Sequence, residues 1–114
     1  MSVDAGLLAW LEEATAPLGH FSWRRMGGAA ALYIDQVVFA IADDDQLLLK
    51  SDAESAAAFD AADCERYVRR MGNRDMVTNY RHAPSEIYDD ADAVLHWAAL
   101  ALEAGRRAAR RKRR

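Results

Sequence analysis

The residues able to do chemistry in this chain gather in a few short stretches, and none completes a catalytic set. Arg24-Arg25-Met26-Gly27-Gly28 places two guanidiniums next to two glycines. Guanidiniums and bare backbone amides both bind phosphate, so this segment is a candidate ligand- or partner-binding loop. The pattern matches neither a Walker loop nor a dinucleotide fingerprint, and strand-like sequence follows it where those motifs have a helix. The competing reading pairs Arg24 and Arg25 with acids of the body, and it extends to Arg66, Arg69, Arg70 and Arg74. Asp92 and His96 are four apart and would share a helix face, yet no third ligand lies near and an acid suits a first helical turn. Asp43-Asp44-Asp45 lacks the spaced ligands and glycine of a calcium loop and reads as a solvated turn. Cys64 sits between Asp63 and Glu65, whose charges oppose thiolate formation, and no serine lies in a nucleophile elbow. The expectation is a protein that is not an enzyme, with no metal and no cofactor.

The last stretch is electrostatic. Arg106, Arg107, Arg110, Arg111, Lys112, Arg113 and Arg114 are seven of the fifteen basic residues, and no acid accompanies them. Residues 106–114 therefore carry +7, against −10 on residues 1–105. Such a tail would hold DNA or RNA through phosphates, without sequence specificity and with steep salt dependence. It has no interleaved aromatics for base stacking. The alternatives are a solubilising tail or one folded back on the acids of the body. No apolar face accompanies the charges, so no membrane partner is expected.

The elements that must position these groups follow from length and periodicity. With 114 residues, 52% hydrophobic and 29% charged, the chain suits one globular domain over residues 1–105 with the basic tail at 106–114. Its apolar runs are far shorter than the roughly 20 residues of a membrane span. An acid stands where a signal peptide needs basic residues, and a lone cysteine fits a reducing compartment, so a cytoplasmic location is expected. Residues 3–18 have a helical stripe of Leu7, Leu8, Leu11, Ala14 and Leu18, with Ser2 or Asp4 as cap and Gly19 as terminator. Period two then takes over at residues 20–26, as in a half-buried strand, and two glycines and three alanines give backbone that bends or is approached closely.

Strands are expected at residues 32–34, 37–42 and 46–50, joined by short polar turns at Asp35-Gln36 and Asp43-Asp44-Asp45. A short helix within residues 51–62, capped by Ser51 or Asp52, precedes two strands at 65–71 and 76–80 around Gly72-Asn73. Residues 89–107 form a second long helix, with Val94, Leu95, Ala98, Ala101 and Leu102 as its buried stripe. The sum is an α+β two-layer sandwich, an antiparallel sheet with helices on one face, in the order α-β-β-β(-β)-α-β-β-α.

The run Arg24-Arg25-Met26 through Leu32-Tyr33-Ile34-Asp35 resembles the RRMFGGxGLYxDG signature of the TfoX N-terminal domain, or TfoX/Sxy, family. Val38-Phe39-Ala40-Ile41, Leu47-Leu48-Leu49-Lys50, Tyr80, Pro84, Glu86-Ile87 and Trp97-Ala98 continue the likeness in the family's order. The chain departs from the signature at Gly27, Ala29, Ala31 and Gln36, which stand for a phenylalanine and three glycines. If the turn after Asp35 needs positive φ, Gln36 carries strain or the turn changes type. The resemblance implies a small α+β domain. Longer relatives carry a second domain and regulate DNA uptake and competence genes alongside the cAMP receptor protein.

Together these readings point to a regulatory or interaction domain that assists transcription regulation through protein contacts, its tail adding weak attraction to nucleic acid. A sheet edge or the faces bearing Trp10 and Trp97 are candidate surfaces for a protein partner or a homodimer. The second reading is a sensor for an organic anion or nucleotide, held near Arg24, Arg25 and Gly28.

Overall fold

The computed structural model describes residues 3–112. Ala5–Ala14 forms α1, capped by Asp4, whose Oδ1 accepts the Leu7 N–H at 3.0 Å. Ser2, the other candidate cap, lies outside the described residues. Leu7, Leu8, Leu11 and Ala14 are buried as the stripe requires. The helix stops short of residue 18 because Pro17 cannot continue it, and a single 3-10 turn, Ala16–Leu18, takes over. Gly19 follows at φ +148, where a Cβ would collide with the Asp35 carboxylate. That carboxylate accepts the His20 N–H at 2.9 Å and so fixes the entry into the sheet.

Four strands then run as a meander: β1 Phe21–Met26, β2 Ala29–Ile34, β3 Val37–Asp43 and β4 Gln46–Lys50. Each hairpin closes on two residues. Gly27 takes φ +59, Asp35 and Gln36 take +50 and +67, and Asp44 takes +58. These are the left-handed values that tight hairpins between twisted strands demand. Gln36 thus adopts the glycine conformation without being glycine.

The strand expected at 20–26 is present, but its expected half-burial is corrected. Only Phe21 is buried, and Trp23 to Met26 are exposed, because β1 is the edge of the sheet and its far end overhangs the core. The alanines after the glycines are also not a flexible bend. Ala29, Ala30 and Ala31 are β2 residues paired with Met26, Arg25 and Arg24.

Next comes α2, Ala56–Ala61, shorter than expected. Its entry is an exchange between Asp52 and Ser55, in which the Ser55 N–H donates to Asp52 Oδ1 and the Asp52 N–H to Ser55 Oγ. β5, Arg66–Met71, and β6, Arg74–His82, form the last hairpin, and β6 returns to pair with β4. The six strands lie in the order β1-β2-β3-β4-β6-β5, every pair antiparallel.

After a 3-10 turn at Ser85–Tyr88, α3 runs from Ala91 to Lys112. Asp90 Oδ1 accepts the N–H groups of Asp92 and Ala93, so the helix begins two residues later than its acids suggest. It continues unbroken through residues 106–112. Val94, Trp97, Ala98, Ala101 and Leu102 are buried, with Leu95 only half-buried.

One face of the sheet supplies Ala30, Leu32, Ala40, Ala42, Leu47 and Leu49, which meet α1, α2 and α3 in a single core. Phe59 of α2 packs on Trp97 at 5.4 Å between ring centroids. Trp10 lies at the core margin, its Nε1 donating to the Ile87 carbonyl at 2.9 Å. Arg81 is the buried charged residue of this face among the described residues. Its Nη1 reaches Asp60 at 2.7 Å and the Cys64 carbonyl at 2.9 Å, while its Nε has no partner among the described residues. Among the described residues no helix is long and apolar enough to cross a membrane.

Candidate functional site

The site lies on the opposite face of the sheet, where the last turns of α3 are the helical cover. Period two sends Ala31 and Tyr33 of β2, Ile41 of β3, Lys50 of β4 and Tyr80 of β6 to this side. Together with Met26 at the end of β1 they line a groove of about 380 Å³. Its remaining wall comes from α3. Gly105 lies directly on β3, where a Cβ would collide with the Val38 carbonyl oxygen and sit 3.0 Å from Val37 Cγ1. This close crossing carries the last turns of α3 past the strand, so that Ala108, Ala109 and Lys112 join the groove.

Lys50 and Tyr80 are cross-strand partners, with Nζ 5.0 Å from the ring centroid. Arg24 lies over Tyr33 at 5.9 Å. Such contacts orient a cation on an aromatic face while leaving its charge available to an anion. Burial pushes the Lys50 amine below its ordinary value, and the charges of Lys112 and Arg111 add to the effect, with Asp52 opposing. Burial and the neighbouring Tyr33 push the Tyr80 hydroxyl up. The groove therefore concentrates positive charge beside two rings.

A second hollow of about 320 Å³ continues from the first, sharing Met26 and Ile41. Gly27, Gly28, Tyr67 and Arg69 line it, with Asp43 as its acid.

The Arg24–Gly28 segment thus forms the β1–β2 hairpin. Arg24 and Arg25 make no ion pair among the described residues, contrary to the reading that they pair with acids of the body. Arg70 does make one, to Asp75 at 2.9 Å. The basic C-terminal residues divide into two groups. Arg107 forms a two-pronged contact with Asp52 at 2.7 and 2.9 Å and also meets Glu54, and Arg106 pairs with Glu103. Arg110, Arg111 and Lys112 are exposed and have no ion pair among the described residues. Arg113 and Arg114 lie outside the described residues. The hairpin and the helix end, far apart in the chain, meet across one groove.

A family model for the TfoX N-terminal domain matches residues 13–105. The chain belongs to the TfoX N-terminal domain family. No curated protein matches it. The matched part of this TfoX N-terminal domain ends at Gly105, the residue on which α3 crosses β3, so the cations of residues 106–112 lie beyond it.

His96 stacks edge-on against Trp97 at 4.9 Å. Among the described residues no group of three or more His, Cys, Asp or Glu side chains is placed to hold a metal ion. Cys64 is buried, and burial pushes its thiol above the ordinary value.

Lys50, Tyr33 and Tyr80 were missed as site residues. Alternation marks them as facing away from the core, but only the pairing register of distant strands brings them together. Gly105 had a usable signal, since glycine inside a long helix costs about 1 kcal/mol relative to alanine and usually has a packing reason.

Proposed function

We propose that this domain is a non-enzymatic regulatory module of the cytoplasm that assists transcription regulation by binding, with the body contacting a protein partner and the end of α3 drawing it weakly to nucleic acid. The observation that carries this reading is the division of the C-terminal cations. Arg110, Arg111 and Lys112 lie exposed in the last turn of α3 and make no ion pair among the described residues, on a body of net charge −10. Protein contact is supported by exposed apolar side chains at both edges of the sheet, Trp23 on β1 and Val68, Met71, Met76 and Val77 on the β5–β6 hairpin.

The test is an electrophoretic shift assay at low and high salt with the Arg110→Glu/Arg111→Glu/Lys112→Glu protein. This variant is preferable to truncation at residue 106, which would also remove the Arg107–Asp52 contact. The wild type should bind at low salt and release at high salt, and the triple variant should bind far less. Equal binding by the two proteins would refute the role of the helix end.

The groove favours a second reading, a sensor for an organic anion or nucleotide. Met26 of the hairpin lines it, and Arg24, two residues away on the same strand, lies over the Tyr33 ring that also lines it. A ligand at 100 times its Kd would stabilise the fold by about 2.7 kcal/mol. A thermal-shift screen of nucleotides and organic anions with no shift would remove this reading.

A further inference from the structure

We propose that the groove on this face of the sheet is a stacking platform for single-stranded nucleic acid, in which Tyr33 and Tyr80 receive unpaired bases while Lys50, Arg111 and Lys112 hold the adjoining phosphates. The inference rests on the proposed attraction to nucleic acid and goes further by naming the strand state and the residues that read it. The basic helix end has no aromatics of its own. The fold supplies them from β2 and β6, in the groove that Lys112 also lines.

Three observations converge on this occupant. Sequence-tolerant recognition of single strands combines rings that stack on bases with a basic path along the backbone. Here Lys50 lies over the Tyr80 ring at 5.0 Å from its centroid and Arg24 over that of Tyr33 at 5.9 Å, so each ring has a cation over one face and a base would stack on the other. Second, the platform is extended. The groove runs into the second hollow through Met26 and Ile41 and reaches Tyr67 and Arg69, which gives room for more than one nucleotide. Third, the charge is complementary. Arg24, Lys50, Arg69, Arg111 and Lys112 serve this face against two acids, Asp43 in the second hollow and Asp52 near Lys50. Asp52 is already held by Arg107. A duplex hides the faces of its bases and cannot use the tyrosines.

Fluorescence anisotropy with a labelled single-stranded oligothymidylate, the duplex of the same length and thymidine monophosphate as competitor tests the proposal on the full chain. A probe of about eight nucleotides falls within the usual site size of a small binding surface. The single strand is expected to bind at least several-fold tighter than the duplex, a comparison that needs no variant. Tyr80→Leu and Tyr33→Leu, checked for folding by circular dichroism, should each weaken the single strand about ten-fold while leaving the duplex unchanged. Lys112→Glu should weaken it and flatten its salt dependence, which scales as about −0.7 per phosphate contact on single strands.

Equal binding of single strand and duplex, insensitive to the tyrosines but lost in Arg110→Glu/Arg111→Glu/Lys112→Glu, would overturn the platform and leave the helix-end reading standing. Displacement of the oligonucleotide by thymidine monophosphate at equal concentration would overturn it in favour of a small-ligand site. No binding of either nucleic acid would overturn both the platform and the helix-end reading.

Discussion

Replacing Gly105 by alanine sets two effects of opposite sign against each other. In an isolated helix the change would stabilise by about 0.8–1 kcal/mol, because alanine loses less backbone freedom and covers the helix better. In this protein the new Cβ would fall on the Val38 carbonyl oxygen, with Val37 Cγ1 at 3.0 Å. The obstacle is backbone in a paired strand, so no rotamer change relieves it, and α3 must lift from β3. Forcing a methyl group into packed structure costs about 1–3 kcal/mol, and a rigid neighbour puts this case in the upper part of that range. The net expectation is a loss of about 1–2 kcal/mol.

For a domain of this length, that loss lowers Tm by about 5–15 °C. Gly6 provides the control. It lies in α1, is exposed, and its added Cβ would meet only Asp4 Oδ1 at 3.2 Å, at the end of a side chain. Gly6→Ala should be neutral or raise Tm slightly. Thermal melts followed by circular dichroism at 222 nm (about one helical band, dominated by α1 and α3) read both variants. A Gly105→Ala protein as stable as the wild type, or more so, would refute the close crossing and with it the placement of Lys112 at the groove.

Other perturbations have equally definite signs. Asp52 is held down to about 2, first by its hydrogen bond from Arg107 and then by those from Ser55. A carboxyl depressed in the folded state contributes its stability above about pH 4 and loses it as pH falls toward 2. Acid titration of unfolding free energy should therefore show a component in that window that Asp52→Asn lacks. Gln36→Gly should stabilise by about 0.5–1 kcal/mol in urea melts, since φ +67 strains glutamine and suits glycine. Trp10→Phe removes the bond to the Ile87 carbonyl and should cost about 1 kcal/mol by the same measurement.

Much of the fold was legible because its signals are local. The strand from Gln46 to Lys50 and the turn at Gly72-Asn73 follow from period and turn chemistry within a few residues. Boundaries were less legible where one residue overrules a pattern. Pro17 ends α1 although the leucine stripe continues to Leu18, and Asp90 caps α3 although acids begin at Asp89. Burial on β1 was misjudged because an edge strand can alternate in sequence while overhanging the core. Nothing in the sequence from Phe21 to Met26 says how far the core extends beneath it.

The candidate site was legible only in halves, and the reason is geometric. The hairpin segment and the basic helix end each show their chemistry in sequence, yet Lys112 lies 86 positions after Met26. What joins them is the sheet's register, which sets Lys50 opposite Tyr80, and the contact of Gly105 with β3, which directs the helix end to that side. Arg107 shows the same lesson from the other direction. It belongs to a run of arginines that reads as uniform, but Asp52 and Glu54 lie within its reach and engage it, while the next exposed cations have no such neighbours among the described residues. A charge run can attract a partner only through members the fold leaves unpaired, and here the fold engages Arg106 and Arg107 while Arg110, Arg111 and Lys112 make no ion pair among the described residues.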